Sequence, residues 1–115
     1  MKIIPLKFHE ILDYVTVIAF LLIPSLFALS GTPAYLSYIL ASVHLLMTLL
    51  TNFQFGIWKV IPLQIHKIVE RIVGPVLIAV PWIFRFSGDL TARYVFIGAG
   101  IVILIVGAMT NYNND

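Results

Sequence analysis

The sequence predicts an all-α polytopic membrane protein, a four-transmembrane-helix bundle made of two tandem two-helix repeats. Three observations carry this. Of the 115 residues, 61% are hydrophobic and only 10% are charged, against roughly 25% charged in a soluble domain, and the mean hydropathy is +1.04. Four apolar runs each approach the about 20 helical residues that cross a bilayer core. One motif also recurs: Ile4-Pro5-Leu6-Lys7-Phe8-His9-Glu10-Ile11-Leu12-Asp13 returns as Ile61-Pro62-Leu63-Gln64-Ile65-His66-Lys67-Ile68-Val69-Glu70, at an offset of 57. The register then holds, with Pro24 on Pro81, Phe27 on Phe84 and Ser30-Gly31 on Ser87-Gly88. Repeat 1 takes residues 4–60 and repeat 2 residues 61–115.

The first helix is expected over Leu6–Leu29, started by Pro5, whose missing N–H costs nothing in a first turn. Lys2, Lys7 and the apolar run after them resemble a signal peptide. The same pattern recurs in mid-chain over residues 61–88, so the segment is read as a retained span. Ser30-Gly31-Thr32-Pro33 breaks the chain before a second helix over Ala34–Asn52. Phe55-Gly56 through Pro62 separates the repeats. A third helix is expected over Leu63–Phe86, Ser87-Gly88-Asp89 forms the next turn, and a fourth helix covers Thr91–Met109. The runs do not alternate polar with apolar, which excludes a β-barrel. Pro24, Pro75 and Pro81 fall inside helices, where kinks are tolerated by membrane spans. Small residues recur on one face of helix 2 (Ser37, Ala41, His44, Thr48, Thr51) and of helix 4 (Gly100, Gly107, Thr110, with Gly98 and Ala99 nearby), which suits close helix packing or a contact between copies.

Two helices per repeat give both repeats one orientation, related by a pseudo-two-fold axis along the membrane normal. Lys2, Lys7, Lys59, Lys67 and Arg71 lie on one side and only Arg85 and Arg93 on the other. That bias places both termini in the cytoplasm, here of a bacterial inner membrane. The lipid bilayer is the one partner the composition demands. The scattered basic residues give no nucleic-acid surface, and the absence of cysteine removes disulfides, thiolate metal sites and thiol catalysis.

His9 and Asp13 stand at i and i+4 and share a helix face; His66 and Glu70 repeat the pair. If both faces point inward, two imidazoles and two carboxylates converge near the cytoplasmic interface, a set able to bind zinc, iron or manganese. The alternative is that each His bonds a carboxylate and locks the bundle. Glu10/Lys67 and Tyr14/Arg71 differ between the copies and are expected to face headgroups or water. His44 differs in kind. Aligning Thr51-Asn52-Phe53 with Thr110-Asn111-Tyr112 needs an offset of 59, and puts Ile103 opposite His44. His44 is therefore not required by the repeat, and about ten residues into its helix it is expected near mid-bilayer. An ionisable residue there is a functional candidate: a haem ligand, a proton relay or a cross-helix hydrogen bond.

The stretch Val80-Pro81-Trp82-Ile83-Phe84-Arg85-Phe86-Ser87-Gly88 resembles the SPW-repeat family of small bacterial membrane proteins, whose two-helix repeat carries Ser-Pro-Trp in its first helix. Here copy two has Val80-Pro81-Trp82 and copy one Ile23-Pro24-Ser25. His9-x-x-x-Asp13-Tyr14 and Thr51 also fit that likeness. It implies a four-helix membrane fold and brings no activity or cofactor. The leading expectation is a structural or accessory membrane subunit without catalysis, self-assembling or part of a larger complex. The alternatives are a metal- or haem-binding redox protein and a small transporter or proton channel.

Overall fold

The computed structural model describes residues 2–112. Among them are four helices, α1 (Leu6–Leu26), α2 (Gly31–Leu50), α3 (Leu63–Ile83) and α4 (Leu90–Met109), with two-residue strands β1 (Ile4–Pro5) and β2 (Thr110–Asn111) at the two ends. α1 packs along α2, and α3 along α4.

α1 and α3 both stop three residues before the apolar runs do. Ala28 (φ 53°) and Arg85 (φ 62°) turn the backbone left-handed. The Leu29 N–H then reaches back to the Pro24 carbonyl and the Phe86 N–H to the Pro81 carbonyl, each at 2.8 Å. Leu29 and Phe86 are buried beneath the turn. This is the Schellman stop, in which a left-handed residue lets the chain satisfy orphan carbonyls and tuck in an apolar side chain. Pro24 has a second effect. It has no N–H to offer the Phe20 carbonyl one turn back, and Ser37 of α2 donates its hydroxyl there at 2.6 Å. α2 begins at Gly31, three residues earlier than expected.

The polarity of the bundle is inverted relative to a soluble domain. His9, Glu10, Asp13, Ser37, Thr48, Thr51, His66, Glu70 and Thr110 are buried. Ile18, Leu22, Ile39, Val43, Leu46, Ile68, Ile72 and Val102 are more than half exposed. α2 and α4 are long and apolar enough to cross a membrane. The apolar core around Phe20, Ala41, Leu77, Ala92 and Phe96 sits toward the 26–31 and 84–89 turns, and the polar interior lies toward the other end. The small residues of α4 split in use. At Gly100 an added Cβ would lie 2.5 Å from the Gly74 carbonyl oxygen, so the backbones of α3 and α4 touch there, whereas a Cβ at Gly98 would meet nothing.

The polar end is closed twice in the same manner. Ile61 forms a parallel bridge to Thr51 at the end of α2, and Ile4 pairs in parallel with Thr110 at the end of α4. Between α2 and α3 the chain folds back on the helix end. Ile57 and Trp58 donate to the Leu49 carbonyl (2.7 and 3.1 Å), and Val60 and Ile61 to the Leu50 carbonyl (both 2.8 Å). Gly56 makes this possible, because any Cβ there would stand 1.9 Å from the Thr51 carbonyl oxygen.

Candidate metal centre

The two His-x-x-x-carboxylate pairs do meet. His9 and Asp13 come from α1 and His66 and Glu70 from α3; all four are buried, and one ligating atom from each lies within 4.8 Å of the others. His9 Nε2 is 2.9 Å from Glu70 Oε1 and 3.3 Å from Asp13 Oδ1. His66 Nε2 is 3.1 Å from Asp13 Oδ2 and also meets Glu70 Oε1. Each imidazole therefore faces a carboxylate of both helices.

The orientation of the two rings is fixed from behind. Thr51 Oγ1 lies 2.6 Å from the Met47 carbonyl and 2.7 Å from His66 Nδ1. Thr110 Oγ1 lies 2.6 Å from the Val106 carbonyl and 2.7 Å from His9 Nδ1. A hydroxyl has one hydrogen to give. Each threonine gives it to its own helix and accepts from the histidine, so each ring carries its hydrogen on Nδ1. A neutral ring in that tautomer presents a lone pair at Nε2. Lone pairs and carboxylate oxygens then converge at hydrogen-bond distance. A positive species must lie among them: a second proton on the rings, or a metal ion.

Buried polar atoms ordinarily have hydrogen-bond partners. Among the described residues, the buried side-chain atoms without one are Asp13 Oδ2, His44 Nε2 and His66 Nε2, and all three belong to this cluster. The 3.1 Å approach of Asp13 Oδ2 to His66 Nε2 is close enough for an ion pair, but its geometry makes no hydrogen bond.

His44 stands beside the pairs. Its Nε2 is 3.5 Å from Asp13 Oδ1, and its ring centroid is 6.4 Å from that of His66. The count of about ten residues into the helix is corrected here. With α2 starting at Gly31, His44 sits deeper in its helix, level with Asp13. Glu10 is a second correction. It is 2% exposed, and its Oε1 accepts the Phe55 N–H at 2.7 Å, holding the α2–α3 connection over the cluster. Tyr14, on the same face, donates its hydroxyl to the Phe55 carbonyl at 2.8 Å. Asp89 caps α4 by accepting the Ala92 N–H at 3.2 Å.

Tyr112, past the end of α4, lies over the His9 ring with centroids 5.2 Å apart and its hydroxyl 3.4 Å from His9 Nε2. Burial pushes its phenol well above the usual range, and the Glu70 and Asp13 carboxylates add to this, so the hydroxyl keeps its proton. The roles of Thr51, Thr110 and Tyr112 are invisible in the helix spacing. The usable signal is that Thr-Asn-aromatic recurs, at residues 51–53 and 110–112.

No family model matches the chain, and no curated protein or solved structure matches it. The geometry of this centre is thus the basis for any functional reading.

Proposed function

We propose that the protein is an integral-membrane metalloprotein, in which all four helices span the bilayer and His9, Asp13, His66 and Glu70 hold one divalent transition-metal ion. The observation that carries this is the set of buried atoms without hydrogen-bond partners, gathered in one cluster with ring nitrogens aimed inward by Thr51 and Thr110. Two imidazoles and two carboxylates without thiolate suit zinc, iron or manganese. Metal-bound histidines characteristically donate their other N–H to a fixed acceptor, which sets the tautomer and strengthens the ligand. When bound, such an ion acts as a Lewis acid or, for iron or manganese, as a redox centre.

Exposed apolar side chains on every helix, α1 and α3 included, support four spans. Glu10, Asp13 and Glu70 of those two helices turn inward, as intramembrane ionisable residues do, while Lys7 and Arg71 stay exposed. Membership of the SPW-repeat family belongs to the same proposal, since its two-helix repeat suits this arrangement. So do cytoplasmic termini in a bacterial inner membrane, on the strength of the basic residues of the 53–71 side.

A second reading rests on the distances themselves. At 2.9 and 3.1 Å, two imidazoliums between two carboxylates would form a charge-balanced lock, and the protein would be a structural or accessory subunit. Elemental analysis of the detergent-purified protein separates the two. The metalloprotein reading expects about one ion per chain, lost in His66→Ala and retained in Thr48→Val. A folded protein with no stoichiometric metal would leave the lock and remove the metal.

A further inference from the structure

A groove of about 650 Å³ runs between α1 and α4, from Phe27 and Tyr94 at one end to Asp13, His44 and Glu70 at the other. Its volume falls within the about 300–1,000 Å³ of small-molecule sites. Between those ends its walls are apolar side chains such as Val15, Phe20, Val95 and Val102, with Thr16 and Thr91 as minor polar exceptions. Gly98 also lines it, at the place where an added Cβ would meet nothing, so this glycine leaves room in the groove where Gly100 serves helix contact. We propose that the groove admits an uncharged, membrane-soluble molecule with an apolar body and a hydroxyl head, and that the head bonds to the Asp13 carboxylate and His44 Nε2.

The chemistry of the closed end selects that head. Asp13 is only 4% exposed and its Oδ2 is an acceptor left without a partner, so a head that donates a hydrogen bond satisfies it. Asp13 Oδ2 and His44 Nε2 both lack hydrogen-bond partners. His44 Nε2 donates or accepts according to its tautomer, and a hydroxyl serves either, whereas a ketone or ether cannot donate to Asp13. No lysine or arginine lines the groove. The positive charge of the centre is already matched by Asp13 and Glu70, so a phosphate or carboxylate head would meet uncompensated like charge there, which sets bulk phospholipid aside. Entry is lateral, from the bilayer, because Val15 of α1 and Val102 of α4 both line the groove and are exposed.

The inference rests on the membrane reading and names what reaches the proposed centre. Its test is read independently of the metal. The full chain in phospholipid nanodiscs is labelled with a long-chain primary alcohol carrying a diazirine on its chain. The same chain ending in a phosphate ester, and one ending in a methyl group, are run in parallel. The proposal expects saturable labelling of α1 and α4 groove residues by the alcohol, competed by unlabelled alcohol and absent with the other two. Gly98→Phe should reduce it at least tenfold, about 1.4 kcal/mol, with melting and metal content unchanged. Val102→Phe, at an exposed lining position, should do the same if Gly98→Phe fails to fold. Equal labelling by the methyl-ended or phosphate-ended chain would overturn the proposal by making the groove an acyl-chain slot. Cross-links joining two protein copies through these residues would overturn it by making the groove an interface. Specific labelling of a metal-free protein would keep this inference and remove the metal reading; a metal-loaded protein without specific labelling would do the reverse.

Discussion

Thr51 and Thr110 allow the centre to be weakened without touching a ligand. Thr51→Val keeps the side chain's shape and removes only the oxygen that accepts from His66 Nδ1 at 2.7 Å. The Met47 carbonyl loses the same hydroxyl's bond, because the Thr51 N–H turns to the Thr48 carbonyl, so some loss of stability accompanies the loss of affinity. His66 is fully buried, so its Nδ1–H is stranded, and a stranded buried donor costs about 1–3 kcal/mol. If the ring tilts to recover a bond, Nε2 leaves its aim, and loss of such a supporting partner typically weakens metal binding about 10–100-fold. The two figures agree, since tenfold is about 1.4 kcal/mol. Thr110→Val does the same to His9, so the two variants should lose affinity to a similar degree. The assay is zinc competition against a chelator in detergent micelles. Thr48→Val is the control: Thr48 is equally buried, but its hydroxyl serves only the His44 carbonyl of its own helix, at 2.8 Å. Both variants binding as tightly as the unaltered protein, or all three weakening alike, would refute the role given to the threonines.

Two further outcomes are expected. Gly56→Ala should lower the melting temperature sharply, because its Cβ would be driven to 1.9 Å from the Thr51 carbonyl oxygen and overpacking ordinarily costs about 1–3 kcal/mol or more; an unchanged thermal transition would show that this loop yields freely. Glu10→Leu should strand the Phe55 N–H now held at 2.7 Å, at a cost of about 1–3 kcal/mol, while Glu10→Gln keeps an acceptor oxygen and should melt nearer the unaltered protein. Equal melting of those two variants would mean that the bond to Phe55 contributes nothing.

The helices were legible because apolar runs of bilayer length leave few other solutions, and the pairing of His9 with Asp13 and His66 with Glu70 follows from helical spacing alone. The helix ends were less so. Pro24 and Pro81 read as interior kinks, yet their carbonyls anchor the stop signals three residues later, and nothing in Ala28 or Arg85 announces a left-handed turn. The place of His44 within α2 depends on such an end, since three residues at the start of the helix shift it by most of a helical turn. Glu10 was misread because its counterpart is Lys67 and difference between copies was taken for exposure. Its partner, Phe55, is a loop backbone group that no side-chain pattern could reveal. Thr51 and Thr110 looked like members of small-residue stripes; their second bond crosses to a helix remote in sequence.

The pairing of Ile4 with Thr110 bears on what kind of object the chain is. Ile61 and Thr51 make the same join where the backbone is continuous. Residues 4–5 and 110–111 therefore lie side by side at a seam built like the one between α2 and α3. Each pair of helices, α1 with α2 and α3 with α4, contributes one histidine–carboxylate pair and one supporting threonine, so the centre belongs to the junction between halves and to neither half alone.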